Sequence, residues 1–460
     1  MRRLLIGFVL LAVIAAAAWW FGKPYWVAKP AAQAAYQAEI HKDKLANGLE
    51  IVVLPNHRVP AVSHTLWFRV GAADDPEGQS GLAHFVEHMM FKGTPTVPEG
   101  EYSQIIQRLG GNHNAFTGRD FTAYYVNIAK DHLARVMELE ADRWQHLSPS
   151  KSGFEKEREV IIEERFSRIE NNPSALLAEQ MNAMQFLHHP YRKPVIGWKH
   201  EMQQLNAEQV GAFIERYYQP KNALLVVAGD ITLDELRPLA QQYYGGLASG
   251  ADVQRQWLDE PPQRSERSVR VRHALVKQPI WRRTYVAPSL SHGASEHAVP
   301  AALLAHMMGT GKGSIFYQKL VVEQKLASGV AVYYSPLALG PSTLTIHVTP
   351  APGIALETVE RSVDTLLSNL DSHISAAHME RSKTKLKAET IFAQDSLEGI
   401  ARYVGYLRMS DLPADYLHGW PQALDAVTRA QLLDAAALII KPRRSVTGYL
   451  LQEDDNAPVE

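Results

Sequence analysis

The chain has 460 residues, more than one hydrophobic core organises, so two or more domains are expected. Lys and Arg total 47 against 49 Asp and Glu, a near balance that argues against a nucleic-acid binder. With no cysteine there is neither a disulfide framework nor a thiolate metal site, so any metal must be held by His, Asp or Glu.

Arg2 and Arg3 precede an uncharged apolar run from Leu4 to Gly22. Its length lies between a signal-peptide core and a full membrane span. Residues 1–22 read as an uncleaved signal anchor in preference to a signal peptide, with Ala15 to Ala18 as the region where cleavage would fall. Either reading leaves the arginines on the cytoplasmic side and the bulk of the chain outside it. Residues 23–42 read as an Ala-rich linker.

Leu49 to Leu54 and Val62 to Val70 are rich in β-branched residues and predict two strands. Pro76 to Ser80 breaks the chain, and a helix is expected from there to about Phe91, stopped at Gly93. A second helix suits residues 99–110. Asn114 to Ile128 holds two β-rich runs around a Gly118-Arg119-Asp120 turn. A long helix follows from about Asp131 to Leu147. Ser152 and Glu155 have the spacing of a capping box and open a helix to about Glu170. Ala223 to Gly229 is a short buried-strand run. Residues 246–267 are polar, contain Pro261-Pro262, and read as an interdomain linker.

The second half echoes the first faintly. A strand-like stretch, Trp281 to Ala287, precedes a helical one, Ala301 to Met308, and His88-Met89-Met90 recurs as His306-Met307-Met308. Ala302 and Ala305 then stand where the first copy has His84 and Glu87, so the second copy cannot bind metal in the same way.

The central motif is His84-Phe85-Val86-Glu87-His88. Residues four apart share one helix face, so both imidazoles can reach a single ion. A further carboxylate ligand would leave one tetrahedral position open for water, as in a catalytic zinc site. Glu87, beside the same face, is the group to take that water's proton. This is the inverted order of the usual zinc-protease signature.

The run Gly81 to Thr94 (GLAHFVEHMMFKGT) resembles the zinc-binding helix of the pitrilysin or insulinase family, and within it the bacterial zinc proteases similar to the mitochondrial processing peptidase β subunit. Matching runs follow at Gly110 to Ile128, Phe154 to Phe166 and Tyr217 to Ile231. The resemblance implies one zinc per chain, with His84 and His88 as ligands. The family's distal glutamate falls on Glu164, with Glu163 as the fallback. On a helix, Glu157, Ile161, Glu164 and Arg168 share a face, while Glu163 points roughly 100° away. The resemblance also implies a supporting role for Glu157, orienting a histidine ligand. Asn114, Ala115 and Phe116, with Thr117, match an exposed edge strand on which an extended peptide is held by backbone hydrogen bonds. His113, beside it, reads as polar surface.

One departure stands out. The family's second domain has an arginine and, seven residues on, a tyrosine that steady the substrate carbonyl and the developing oxyanion. The matching positions here are Val321 and Ser328; Tyr333 and Tyr334 lie at the wrong place along the chain. This implies a related partner subunit that supplies the Arg/Tyr pair. The Gly309 to Ser314 stretch has only part of a phosphate-loop pattern, so no nucleotide is expected.

The expected fold is α/β (α+β): two similar domains, each a mostly antiparallel sheet with helices on one face, forming a clam-like chamber. Residues 43–245 would form the zinc-binding domain and 268–455 a similar domain without a metal site. The expected activity is zinc-dependent cleavage of peptides or unfolded polypeptides, as the metal-bearing subunit of a heterodimer. The place of action would be the periplasmic side of the bacterial inner membrane. The alternative is a non-catalytic scaffold subunit of the same family.

Overall fold

The computed structural model describes residues 39–147, 151–255 and 259–453. The expected anchor and Pro149 lie outside these residues, as does the Ser152 side chain of the expected capping box. Among the described residues no helix is long and apolar enough to cross a membrane.

The β-branched runs of the first half pair into one sheet. Its strands are β1 (His41–Lys44), β2 (Glu50–Pro55), β3 (Ala61–Phe68), β4 (Asn112–Thr117), β5 (Thr122–Ala129) and β6 (Ala223–Gly229), in the order β1-β2-β6-β3-β5-β4. β2 runs parallel to β6, and the other neighbouring pairs are antiparallel. The second half supplies β7 (Arg267–His273), β8 (Ile280–Ala287), β9 (Ala327–Tyr334), β10 (Ser342–Pro350) and β11 (Ser445–Gln452). Their order is β7-β11-β8-β10-β9, again with one parallel pair, β7 with β11. Strand for strand this repeats the first sheet from β2 to β4. The faint echo in sequence is thus a duplicated topology, to which β1 adds an edge strand. β1 starts at His41, so the end of the expected linker belongs to the sheet.

Side chains alternate across each strand, which divides them between two faces. On the first sheet, Leu66 and Phe68 enter a core with Phe85, Val86, Met89 and Val136. On the second, Leu344, Ile346 and Val348 pack with Leu303 and Met307. Burying each such side chain contributes roughly 1.5–3 kcal/mol.

The opposite face of each sheet carries a helix from the other half of the chain, in addition to the expected layer. Helix Pro173–Gln185 sets Leu177 and Met181 against Val446 and Leu450 of β11. Helix Leu397–Met409 lies on the first sheet, where Tyr406 meets Trp67 edge-on with ring centroids 5.4 Å apart. Arg408 grips Glu50 with two hydrogen bonds of 2.8 and 3.0 Å. The two sheets are therefore separate along the chain, while one helix of each half docks on the other half's sheet.

Candidate metal centre

The motif helix, Leu82–Met89, is started by Asp75, whose carboxylate accepts from the Gly81 and Ala83 backbone N–H groups at 2.7 and 2.8 Å. Gly81 has φ +88°, and a Cβ there would come within 2.8 Å of the Ile196 carbonyl, so glycine is required. Leu82, Phe85, Val86 and Met89 are buried in the core. That leaves His84, Glu87 and His88 on the face that lines a cavity of about 1060 Å³.

The second element is helix Lys151–Arg165. Phe154 stacks on Phe85 with centroids 4.5 Å apart, and Ile161 is buried beside it. Arg165 forms a buried fork to Glu179 at 2.8 and 2.9 Å. These contacts fix the helix's rotation and turn Glu157 and Glu164 to the motif helix, while Glu163 is exposed. Phe166–Glu170 continues as a widened π-type turn, so the predicted end near Glu170 is met by a change of helix type.

Ligand atoms of His84, His88 and Glu164 lie within 4.8 Å of one another. Glu164 Oε2 is 3.2 Å from His88 Nε2 and 3.7 Å from His84 Nε2. It is enclosed without a hydrogen bond of normal geometry, which fits a place reserved for a cation. The other oxygen, Oε1, pairs with Arg168 at 2.8 Å. Burial lowers the His84 pKa to about 4, keeping its ring neutral. Burial also opposes charging of His88, but its contacts with Glu157 and Glu164 outweigh this and carry it up to about 9. A proton on His88 thus stands in for positive charge between two carboxylates. The donors are those zinc takes: two imidazoles and one carboxylate.

His88 donates through Nδ1 to Glu157 Oε1 at 2.8 Å, and Glu157 Oε2 is paired with Lys92 at 2.8 Å. Burial raises the pKa of Glu87, tempered by a 2.5 Å hydrogen bond from Thr117 Oγ1. β4 is the edge strand beside this trio, and Asn114, Ala115, Phe116 and Thr117 line the same cavity.

Sequence reasoning missed Lys92, and it placed Thr117 on the edge strand without its hydrogen bond to Glu87. It also placed His113 on polar surface; the ring is partly buried, stacked on Phe91 and bonded to Ser103 at 3.0 Å. Val321 packs against the second core, and Ser328 lies exposed on β9, hydrogen-bonding to Pro350 O at 3.3 Å. Neither lines the cavity of the trio. In the second half, the helix Ala298–Gly309 has buried Ala302 and Ala305, and His306 Nε2 lies 3.6 Å from Glu389 Oε1. Among the described residues no metal-holding trio forms there.

Comparison with known proteins agrees with this picture. The model of the insulinase family (peptidase family M16) matches residues 50–198, and that of the peptidase M16 inactive domain matches residues 204–386. Zinc protease PqqE of Helicobacter pylori is 27% identical over 414 residues, covering 88% of this chain and 91% of its own. The uncharacterized zinc protease YmxG of Bacillus subtilis is 24% identical over 355 residues, covering 76% and 83%. The crystal structure of a protease from Helicobacter pylori aligns with a TM-score of 0.85 at 26% identity, covering 90% of this chain and 100% of that one. An M16-like protein from Alicyclobacillus acidocaldarius, at 21% identity, covers 90% and 99% with a TM-score of 0.78 and bears on the fold alone. With two consecutive family matches spanning most of its length, the chain belongs to the pitrilysin/insulinase (M16) family, whose named relatives here are zinc proteases.

Proposed function

We propose that the chain is a zinc-dependent endopeptidase that cleaves peptides or unfolded polypeptides, with one zinc ion per chain held by His84, His88 and Glu164. The observation that carries this reading is the convergence of those three side chains beside an exposed strand edge. Zinc bound there supplies a Lewis acid that makes water acidic near neutral pH. Glu87, its pKa raised by burial and its orientation set by Thr117, takes up a proton and delivers it to the leaving amine. The edge of β4 at Asn114, Ala115 and Phe116 holds the peptide as an added strand. Glu157 keeps His88 in the orientation that presents Nε2.

The finer reading is that of a metal-bearing subunit in a heterodimer. Val321 and Ser328 supply no donor to the cavity, so a related chain would contribute the arginine and tyrosine. Residues 1–22 would anchor the chain at the periplasmic face of a bacterial inner membrane.

The test is Glu87→Gln, assayed by cleavage of an unfolded polypeptide and by elemental analysis. Zinc should remain while cleavage falls by about 10²–10⁴. The pair His84→Ala and His88→Ala should lose both. Unchanged turnover in Glu87→Gln would remove Glu87 from the mechanism.

A further inference from the structure

Arg119 and Arg282 come from opposite halves of the chain and meet at one small cavity. Arg119 sits in the hairpin turn that follows the edge strand β4. The turn is pinned: Gly118 N–H donates to Phe121 O at 2.7 Å, and Ala73 N–H to Arg119 O at 2.9 Å. A Cβ on Gly71 would come within 2.6 Å of the Arg119 carbonyl, so the two backbones are in close contact. Arg282 sits on β8. The period of two puts it with Thr284 on the sheet face turned from that half's own helices, and Thr345 joins them from β10. Helix Pro173–Gln185 covers this face and brings Asn182.

Between them lies a cavity of about 150 Å³, lined by Arg119, Arg282, Asn182, Thr284, Thr343 and Thr345 among others. Arg119, with Ala178 and Asn182, also lines the cavity of the metal centre, so the two spaces adjoin. Neither guanidinium has a carboxylate partner among the described residues. Arg119 donates to Asn182 Oδ1 at 2.6 Å and lies over the Tyr191 ring, 5.0 Å from its centroid. Arg282 donates to Ser174 Oγ at 3.2 Å and contacts His347 Nδ1 at 3.4 Å. Asp120, the acidic group next to Arg119, is engaged elsewhere: Tyr191 OH lies 2.6 Å from both its oxygens, and Leu339 N–H donates to it at 3.1 Å. Each guanidinium has five N–H donors, most of them unused by these contacts. Burial pushes the pKa of both arginines down. Asp120 attracts Arg119 without an ion pair to it, so two partly buried like charges still face one polar cavity, and an anion that enters it relieves them.

We propose that this cavity is a carboxylate-binding subsite for the peptide held at the metal centre, read by Arg119 and Arg282 together. The carboxylate is either an acidic side chain or the free C-terminus of the peptide, and planar guanidinium groups match it with paired hydrogen bonds. The inference rests on the proposed reading of the adjoining cavity as the peptide site.

The experiment uses the full chain carrying Glu87→Gln, so that peptides bind without turnover. Four labelled peptides of otherwise one sequence are compared: free C-terminal acid, C-terminal amide, and internal Glu or internal Gln on the amide. A carboxylate form should bind about tenfold tighter than its neutral counterpart. That ratio should collapse towards one in Arg282→Gln and in Arg119→Gln, and recover in part in Arg282→Lys. Which pair shows the preference identifies the side chain or the C-terminus as the source. Equal binding of acidic and neutral peptides, or a preference that survives Arg282→Gln, overturns the subsite. A second readout does not need a peptide: glutarate should raise the Tm above that in chloride at equal ionic strength, and Arg282→Gln should abolish the rise. If no peptide binds but glutarate behaves in this way, the anion site stands and the peptidase reading falls. If neither peptides nor glutarate discriminate, the subsite is refuted.

Discussion

His88 and Glu157 form a 2.8 Å hydrogen bond through His88 Nδ1, which leaves Nε2 directed at Glu164. Lys92 holds the second Glu157 oxygen, so the carboxylate that orients the histidine is itself fixed. Glu157→Gln keeps the size of the side chain but weakens both contacts. Zinc affinity should fall about 10–100-fold. Competition with a chromophoric chelator measures it, and an affinity equal to the parent's would leave Glu157 without a role in positioning.

Glu164 and Glu163 are adjacent, yet only Glu164 turns to the histidines. Glu164→Gln should therefore lower bound zinc in dialysed protein far more than Glu163→Gln, which alters an exposed position. Elemental analysis of the two variants decides it; the reverse order would reassign the ligand.

That neither Val321 nor Ser328 lines the cavity of the trio bears on rate. Losing one donor to a developing oxyanion costs about 10²–10³ in kcat. The isolated chain should therefore cleave peptides slowly, and a related chain carrying the Arg/Tyr pair should restore the rate without changing zinc content. Rapid cleavage by the single purified chain would refute the shared site.

Helix Leu397–Met409 reaches the first sheet because Gly405 has no side chain. A Cβ there would come within 2.1 Å of the Trp67 indole. Gly405→Ala should destabilise the protein by roughly 1–3 kcal/mol through overpacking, despite the better helix propensity of alanine. Thermal unfolding of the variant is the measurement, and an unchanged or raised Tm would mean that the helix is not seated on Trp67.

Much of the candidate metal centre is legible in the sequence because it is local. Four-residue spacing on one helix places His84 and His88 together whatever the rest of the chain does, and Ala302 with Ala305 rules out the same site in the second half. Strands β2, β3 and β6 are equally local, being short β-branched runs between breakers. The choice of Glu164 over Glu163 is intermediate. Helical periodicity separates their directions, but only the packing of Phe154 on Phe85 says which direction faces the histidines. Thr117 against Glu87, the docking of each half's helix on the other half's sheet, and the meeting of Arg119 with Arg282 belong to tertiary structure alone. Periodicity reveals that a face is apolar or polar, but the segment that covers it comes from a distant part of the chain, and no local pattern names it.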